Sequence, residues 1–203
     1  MNATDYTPLA RRTMKELETR EQHLVHMALG LTGEFGEFID AIKKNAIYGK
    51  DLDTTNLTEE MGDSFWYFAG LLPELGVSPA VMQRSLDLGL AHGIKLQAQA
   101  TEMGQNSPFD FARALLAFNG QVATISASLA NAPSEYLPSS SNAVSVVETL
   151  GTIFGMLCGI YQIDPAQSMY LNIAKLAKRY GDKYSDLAAL SRNLDAERAV
   201  LEG

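Results

Sequence analysis

The stretch from Leu31 to Phe68, LTGEFGEFIDAIKKNAIYGKDLDTTNLTEEMGDSFWYF, carries two acidic pairs, Glu34 with Glu37 and Glu60 with Asp63. Residues three apart are neighbours on the surface of an α-helix, so each pair points two carboxylates the same way. Between the pairs lie Lys43, Lys44, Tyr48, Gly49 and the polar run 50–56, enough chain for one helix to end, turn and return antiparallel. A hairpin of that kind sets four carboxylates face to face. Such a group either shares protons or binds hard cations, and all-oxygen ligation suits Mg²⁺ or Mn²⁺ rather than Zn²⁺. Glu-x-x-Glu spacing also arises on solvated helix faces. What favours a site is the company the acids keep: Gly33, Gly36 and Gly62 stand beside them in segments whose apolar spacing is helical. A glycine there costs about 1 kcal/mol against alanine, and close approach of a second backbone or of a ligand is the expected reason.

The wording GEFGEFIDAIKK, followed after a gap by EEMGDSFWYFAGLLPELG, resembles the all-α nucleoside triphosphate pyrophosphohydrolases, the MazG-like and dimeric dUTPase superfamily, over residues 24–78. The resemblance implies an all-α fold and hydrolysis of a nucleoside triphosphate to its monophosphate and pyrophosphate. It implies Glu34, Glu37, Glu60 and Asp63 as catalytic metal ligands, holding two or more Mg²⁺ ions with Mn²⁺ as a substitute. It also places Lys43 and Lys44 near the phosphates; the alternative is that they complement the dipole at a helix C-terminus. Trp66 and Tyr67 lie one turn past Asp63, and either can stack on a base or pack in the core. For the base, dGTP or GTP is the first expectation, and a hydrolase directed at dUTP or dCTP is the alternative.

From Gln22 to about Ile47, Leu24, Met27, Leu31, Phe35, Phe38 and Ile42 recur at three and four and make one stripe of a long helix. A shorter helix is expected before it, over 8–20. Another is expected from Asn56, capped with Glu59, to Leu75, and a third from Pro79 to about Ala100. Residues 102–108 read as a linker, and after it the plan starts again. Gly120 lies 87 residues after Gly33 and Pro165 lies 86 after Pro79, in segments that can be laid on one another. In this alignment Gln121 and Thr124 replace Glu34 and Glu37, while Val146 and Thr149 replace Glu60 and Asp63, so the second half lacks the metal-binding acids. It keeps a basic helix, NIAKLAKRY, with Asn172, Lys175 and Arg179 on one face and Lys178 and Tyr180 flanking. A similar ending touches the nucleotide phosphates in the resembled family, and a solvated basic face is the alternative. Leu86, Gly89 and Gly93 are the first-half counterparts. The expected division is therefore 1–104, carrying the acids, and 105–203, a degenerate repeat carrying the cations.

A net charge of −8 without a basic run argues against a nucleic-acid polymer as partner, though not against a nucleotide whose phosphates are neutralised by metal. The single cysteine, Cys158, leaves no disulfide framework and makes a reducing cytoplasm the expected setting. The N-terminal stretch lacks the apolar core of a signal peptide, and no membrane span or membrane partner is expected. A homo-oligomer is. A carboxylate-bridged di-iron bundle would need Glu-x-x-His, and no histidine follows any of the four acids at that spacing. An HD-type phosphohydrolase would need a His-Asp dipeptide, which is absent from the chain. A non-catalytic helical interaction module stays open.

Overall fold

The computed structural model describes residues 1–131, 140–181, 183–191 and 194–202. These residues are helical with no strand: α1 Ala3–Arg11, α2 Arg20–Tyr48, α3 Thr54–Leu75, α4 Pro79–Glu102, α5 Pro108–Ala130, α6 Ser140–Tyr161, α7 Pro165–Tyr180, α8 Asp186–Leu190 and α9 Leu194–Glu202. The all-α reading holds. The central hairpin is set by its caps. Thr19 and Gln22 form a capping box at the start of α2, and Gly49 ends it in the left-handed region at φ 65°. The Asp53 side chain then accepts from the Asn56 amide at 2.9 Å and starts α3. Asn56 therefore lies inside that helix rather than capping it, which frees Glu59 from the capping role. The first helix also begins earlier than expected. Ala3, Tyr6, Thr7 and Ala10 make a buried stripe at three and four, and Pro8 is carried within it.

Phe154 of α6 sits at the centre of the core, with Phe35 and Phe68 at 5.9 Å and Phe65 at 6.2 Å between ring centroids. Around it α2 packs along α3 and α5, α7 packs along α3, and α4 packs along α6. The α4–α6 contact is backbone on backbone. A Cβ added at Gly89 would lie 2.2 Å from the Thr152 carbonyl oxygen, and one at Gly155 would lie 2.2 Å from that of Leu86. Positions 89 and 93, expected as emptied counterparts of the phosphate face, are thus occupied by helix packing. Helix α4 of the first half thus lies on α6 of the second, and α7 of the second lies on α3 of the first.

Ser141–Tyr161 within α6 is long and apolar enough to cross a membrane, against the expectation that no such run exists. In this fold 56% of its apolar window is buried inside the protein. Helix α1 lies over α3, α4 and α7. The Ala3 amide donates to Gln83 Oε1 at 2.7 Å, and the N-terminal ammonium donates to the Ala166 carbonyl at 3.3 Å.

Candidate active site

The α2–α3 hairpin and α7 enclose a cleft of about 230 Å³ lined by Glu34, Glu37, Glu59, Glu60, Asp63, Trp66, Tyr67, Leu176, Arg179 and Tyr180. Both halves of the chain contribute to it. Glu34, Glu60 and Asp63 each present a carboxylate oxygen within 4.8 Å of the others, a donor set that suits a hard divalent cation. Glu37 lines the same cleft but is exposed and lies outside this group of three.

The acids are held close at a cost. Burial first, then the charges of Asp63 and Glu37, lifts the Glu34 carboxyl to about 7. Glu60, only 6% exposed, is pushed to about 9 by burial and then by Asp63, Glu37 and Glu34. Glu60 therefore keeps its proton at neutral pH and shares a hydrogen bond with Glu34. Proton sharing is one of the two outcomes open to crowded carboxylates, and cation binding is the other.

Helix α7 supplies the counter-charge from beneath. Lys175 is 1% exposed, and its ammonium donates to Asp63 Oδ2 at 2.5 Å and to Glu59 Oε1 at 3.1 Å. Burial alone would lower its pKa, but Asp63 and Glu59 outweigh burial and raise it, so the lysine stays charged. Asn172 Nδ2 donates to the other Asp63 oxygen at 2.6 Å. The approach is close because position 62 is glycine: a Cβ there would lie 2.9 Å from the Ser168 carbonyl oxygen and 3.1 Å from Asn172 Cβ. At Gly33 and Gly36 an added Cβ meets nothing within 4 Å, so chain packing explains only one of the three glycines.

Expected phosphate contacts fall into three groups. Arg179 and Tyr180 line the cleft. Arg179 is also forked onto Glu197 of α9, its Nε donating to Oε1 at 2.8 Å and its Nη2 bonding Oε2. Asn172 and Lys175, expected to face phosphate, reach Asp63 and Glu59 directly and are not among the residues lining the cleft. Lys43, Lys44 and Lys178 are exposed and absent from the lining, and Lys43 and Lys44 pair instead with Asp40 on their own helix. Trp66 lies in the wall, its indole N–H donating to Thr13 Oγ1 at 2.9 Å. His26 packs edge-on to Trp66 and Tyr67, and burial lowers its pKa, in keeping with a packing role.

Sequence reasoning missed Glu59 and Tyr6, and left open which of Trp66 and Tyr67 lies at the site. Glu59 was spent on a cap that Asp53 supplies. Tyr67 had a signal in Gly30, where a Cβ would fall 2.0 Å from its ring. Tyr6 belongs to the alanine-rich stripe that hid the first helix, and its hydroxyl donates to Asn172 Oδ1 at 2.7 Å. In the second half, Gln121, Thr124, Val146 and Thr149 line one open groove of about 680 Å³ between α5 and α6, together with Gly120. Among the described residues, the groove lining carries no charged residue.

No curated protein and no solved structure matches the chain. Residues 21–72, about a quarter of its length, match the family model described as the MazG nucleotide pyrophosphohydrolase domain. That segment covers nearly all of α2 and α3 and every acid of the cleft, but neither α1 nor α7. Over residues 21–72 the chain is similar to the MazG nucleotide pyrophosphohydrolase domain family.

Proposed function

We propose that this protein is a divalent-cation-dependent hydrolase that cleaves a nucleoside triphosphate to its monophosphate and pyrophosphate in the cleft between α2, α3 and α7. The observation that carries the reading is the convergence of Glu34, Glu60 and Asp63 within 4.8 Å inside a segment of this family. These three would hold Mg²⁺, with Mn²⁺ as a substitute. A bound divalent ion there supplies Lewis acidity toward phosphate oxygens and lowers the pKa of a bound water.

The chain's own groups account for the rest. Glu37 is the exposed acid of the cleft, free to accept the proton of an attacking water. Arg179 is the guanidinium in the lining, placed to meet phosphate charge. Lys175 pairs with Asp63 and Glu59 and offsets their charge rather than touching substrate. Trp66, pinned at its N–H by Thr13, offers the flat apolar surface a base needs. For the base itself, dGTP or GTP remains the first substrate to try.

The chain is further read as two repeats, 1–104 and 105–203, that divided the work. Supporting this are the near-constant offset, the reciprocal packing of α3 on α7 and α4 on α6, and the uncharged groove lined by all four counterparts of the acids. The test is a panel of nucleoside triphosphates incubated with the protein and Mg²⁺. The expected products are monophosphate and pyrophosphate, with none in EDTA; release of orthophosphate with a diphosphate would overturn the reading.

A further inference from the structure

The phenol of Tyr6 is fully buried, and a buried hydroxyl costs free energy unless it is hydrogen-bonded. A phenylalanine would fill the same core. What the hydroxyl adds is a contact on the cleft side of α1: it lies 2.7 Å from Asn172 Oδ1 and 3.3 Å from the Gly62 carbonyl oxygen. An asparagine side chain has one accepting end and one donating end. Tyr6 satisfies the accepting end, and the donating end reaches Asp63 Oδ1 at 2.6 Å. With Lys175 on Oδ2, each oxygen of Asp63 has one protein donor among the described residues. Each keeps a lone pair for a further partner beside Glu34 and Glu60.

We propose that Tyr6 is a positioning residue of the cleft, acting through Asn172 to hold the Asp63 carboxylate in the orientation that lets it bind a divalent cation. The proposal rests on the reading of the cleft as a cation site. Burial and the nearby Asp63 charge raise the Tyr6 pKa well above its ordinary value, so the phenol remains a donor across the working range. Two further bonds hold α1 in place, from the Ala3 amide to Gln83 and from the N-terminal ammonium to Ala166. The site therefore draws on three stretches of chain, of which only α2–α3 lies within the family match. Groups that orient a metal ligand typically change metal affinity by about 10- to 100-fold when removed.

The experiment is a titration of the nucleotide-free protein with Mn²⁺, read by the spin resonance of the free ion, beside circular dichroism and thermal melting. Tyr6→Phe is expected to keep its helicity and bind Mn²⁺ about tenfold more weakly. Placing p-aminophenylalanine at position 6 keeps a donor and is expected to restore parent-like affinity. Asn172→Ala is expected to weaken binding as much as Tyr6→Phe, and the double variant no more than Asn172→Ala alone, because the two act in one chain of bonds. Parent-like Mn²⁺ affinity in Tyr6→Phe, or losses that add in the double variant, would overturn the proposal. If Tyr6→Phe melts too low to titrate, the p-aminophenylalanine protein decides: affinity as weak as that of Asn172→Ala sinks the idea. A parent that binds no Mn²⁺ removes the cation site itself, an outcome distinct from an unaltered variant of a parent that binds.

Discussion

Asp63 is gripped by Asn172 and Lys175, whereas Glu34 and Glu60 have mainly each other and a shared proton. That difference predicts a pH dependence. Glu34 at about 7 and Glu60 at about 9 both stand above their ordinary 4.5, so the metal-free fold binds more protons than the unfolded chain between those limits. Its stability should be highest below pH 4.5 as far as these two groups are concerned, and should fall as pH rises toward 9. Saturating Mg²⁺ should flatten the fall, with release of about one to two protons per site at pH 7, read by calorimetry in buffers of different ionisation enthalpy. Melting that is insensitive to pH and metal would contradict this account. Lys175→Ala should lower the metal-free melting temperature, because it leaves Asp63 and Glu59 without their buried partner; loss of one member of such a pair costs about 3–5 kcal/mol when fully buried, and less here with the acids about one-fifth exposed. Mg²⁺ should restore part of the loss, since it offers the same acids another cation. The i,i+3 spacing made the carboxylate pairs legible from sequence. The partner of Lys175 was not, because a lysine four residues before Arg179 reads equally well as solvated until a glycine on another helix admits it to the interior.

Two of the helix contacts made through glycine should fail differently. Between α4 and α6 the obstacle to any side chain is main chain on a neighbouring helix, which cannot swing aside. Gly155→Leu should therefore cost more than the roughly 1–3 kcal/mol typical of overpacking and be seen as a large drop in melting temperature or as insoluble protein. At Gly62 an alanine meets the Ser168 carbonyl oxygen at 2.9 Å and Asn172 Cβ at 3.1 Å, a shift of a few tenths of an ångström for α7. Gly62→Ala should leave a folded protein with reduced turnover, as Asn172 and Lys175 are moved off Asp63. A variant with parent turnover would show that the cleft tolerates that shift. The helices themselves were largely readable, since periodicity and punctuation by Gly49, Gly76 and Pro79 bound them. One exception was α1, whose buried face is built from Ala3, Tyr6, Thr7 and Ala10, too small and polar a stripe to stand out in an apolar pattern.

Over the whole molecule the halves are interlocked rather than strung together: α4 lies on α6, α7 on α3, and α5 on α2. Residues 1–104 alone would expose the glycine face of α4 and lose Lys175 and Asn172. That fragment is expected to be unfolded or aggregated by circular dichroism, and to recover helicity when co-expressed with 105–203. A stable, active 1–104 fragment would show that the second half is dispensable. The proposed repeat rests on its offset in the sequence, with Gln121, Thr124, Val146 and Thr149 at the positions that align with the acids. The crossing of the halves was not, because nothing in a single helix says which of two similar partners it will choose. The central claim concerns what the joined cleft does to a triphosphate, and it is tested most directly by turnover in ¹⁸O-labelled water with Mg²⁺. Attack at the α-phosphorus predicts one ¹⁸O in the nucleoside monophosphate and none in the pyrophosphate, with Asp63→Asn slower by orders of magnitude. Label in pyrophosphate or orthophosphate, or an Asp63→Asn variant as fast as the parent, would contradict it.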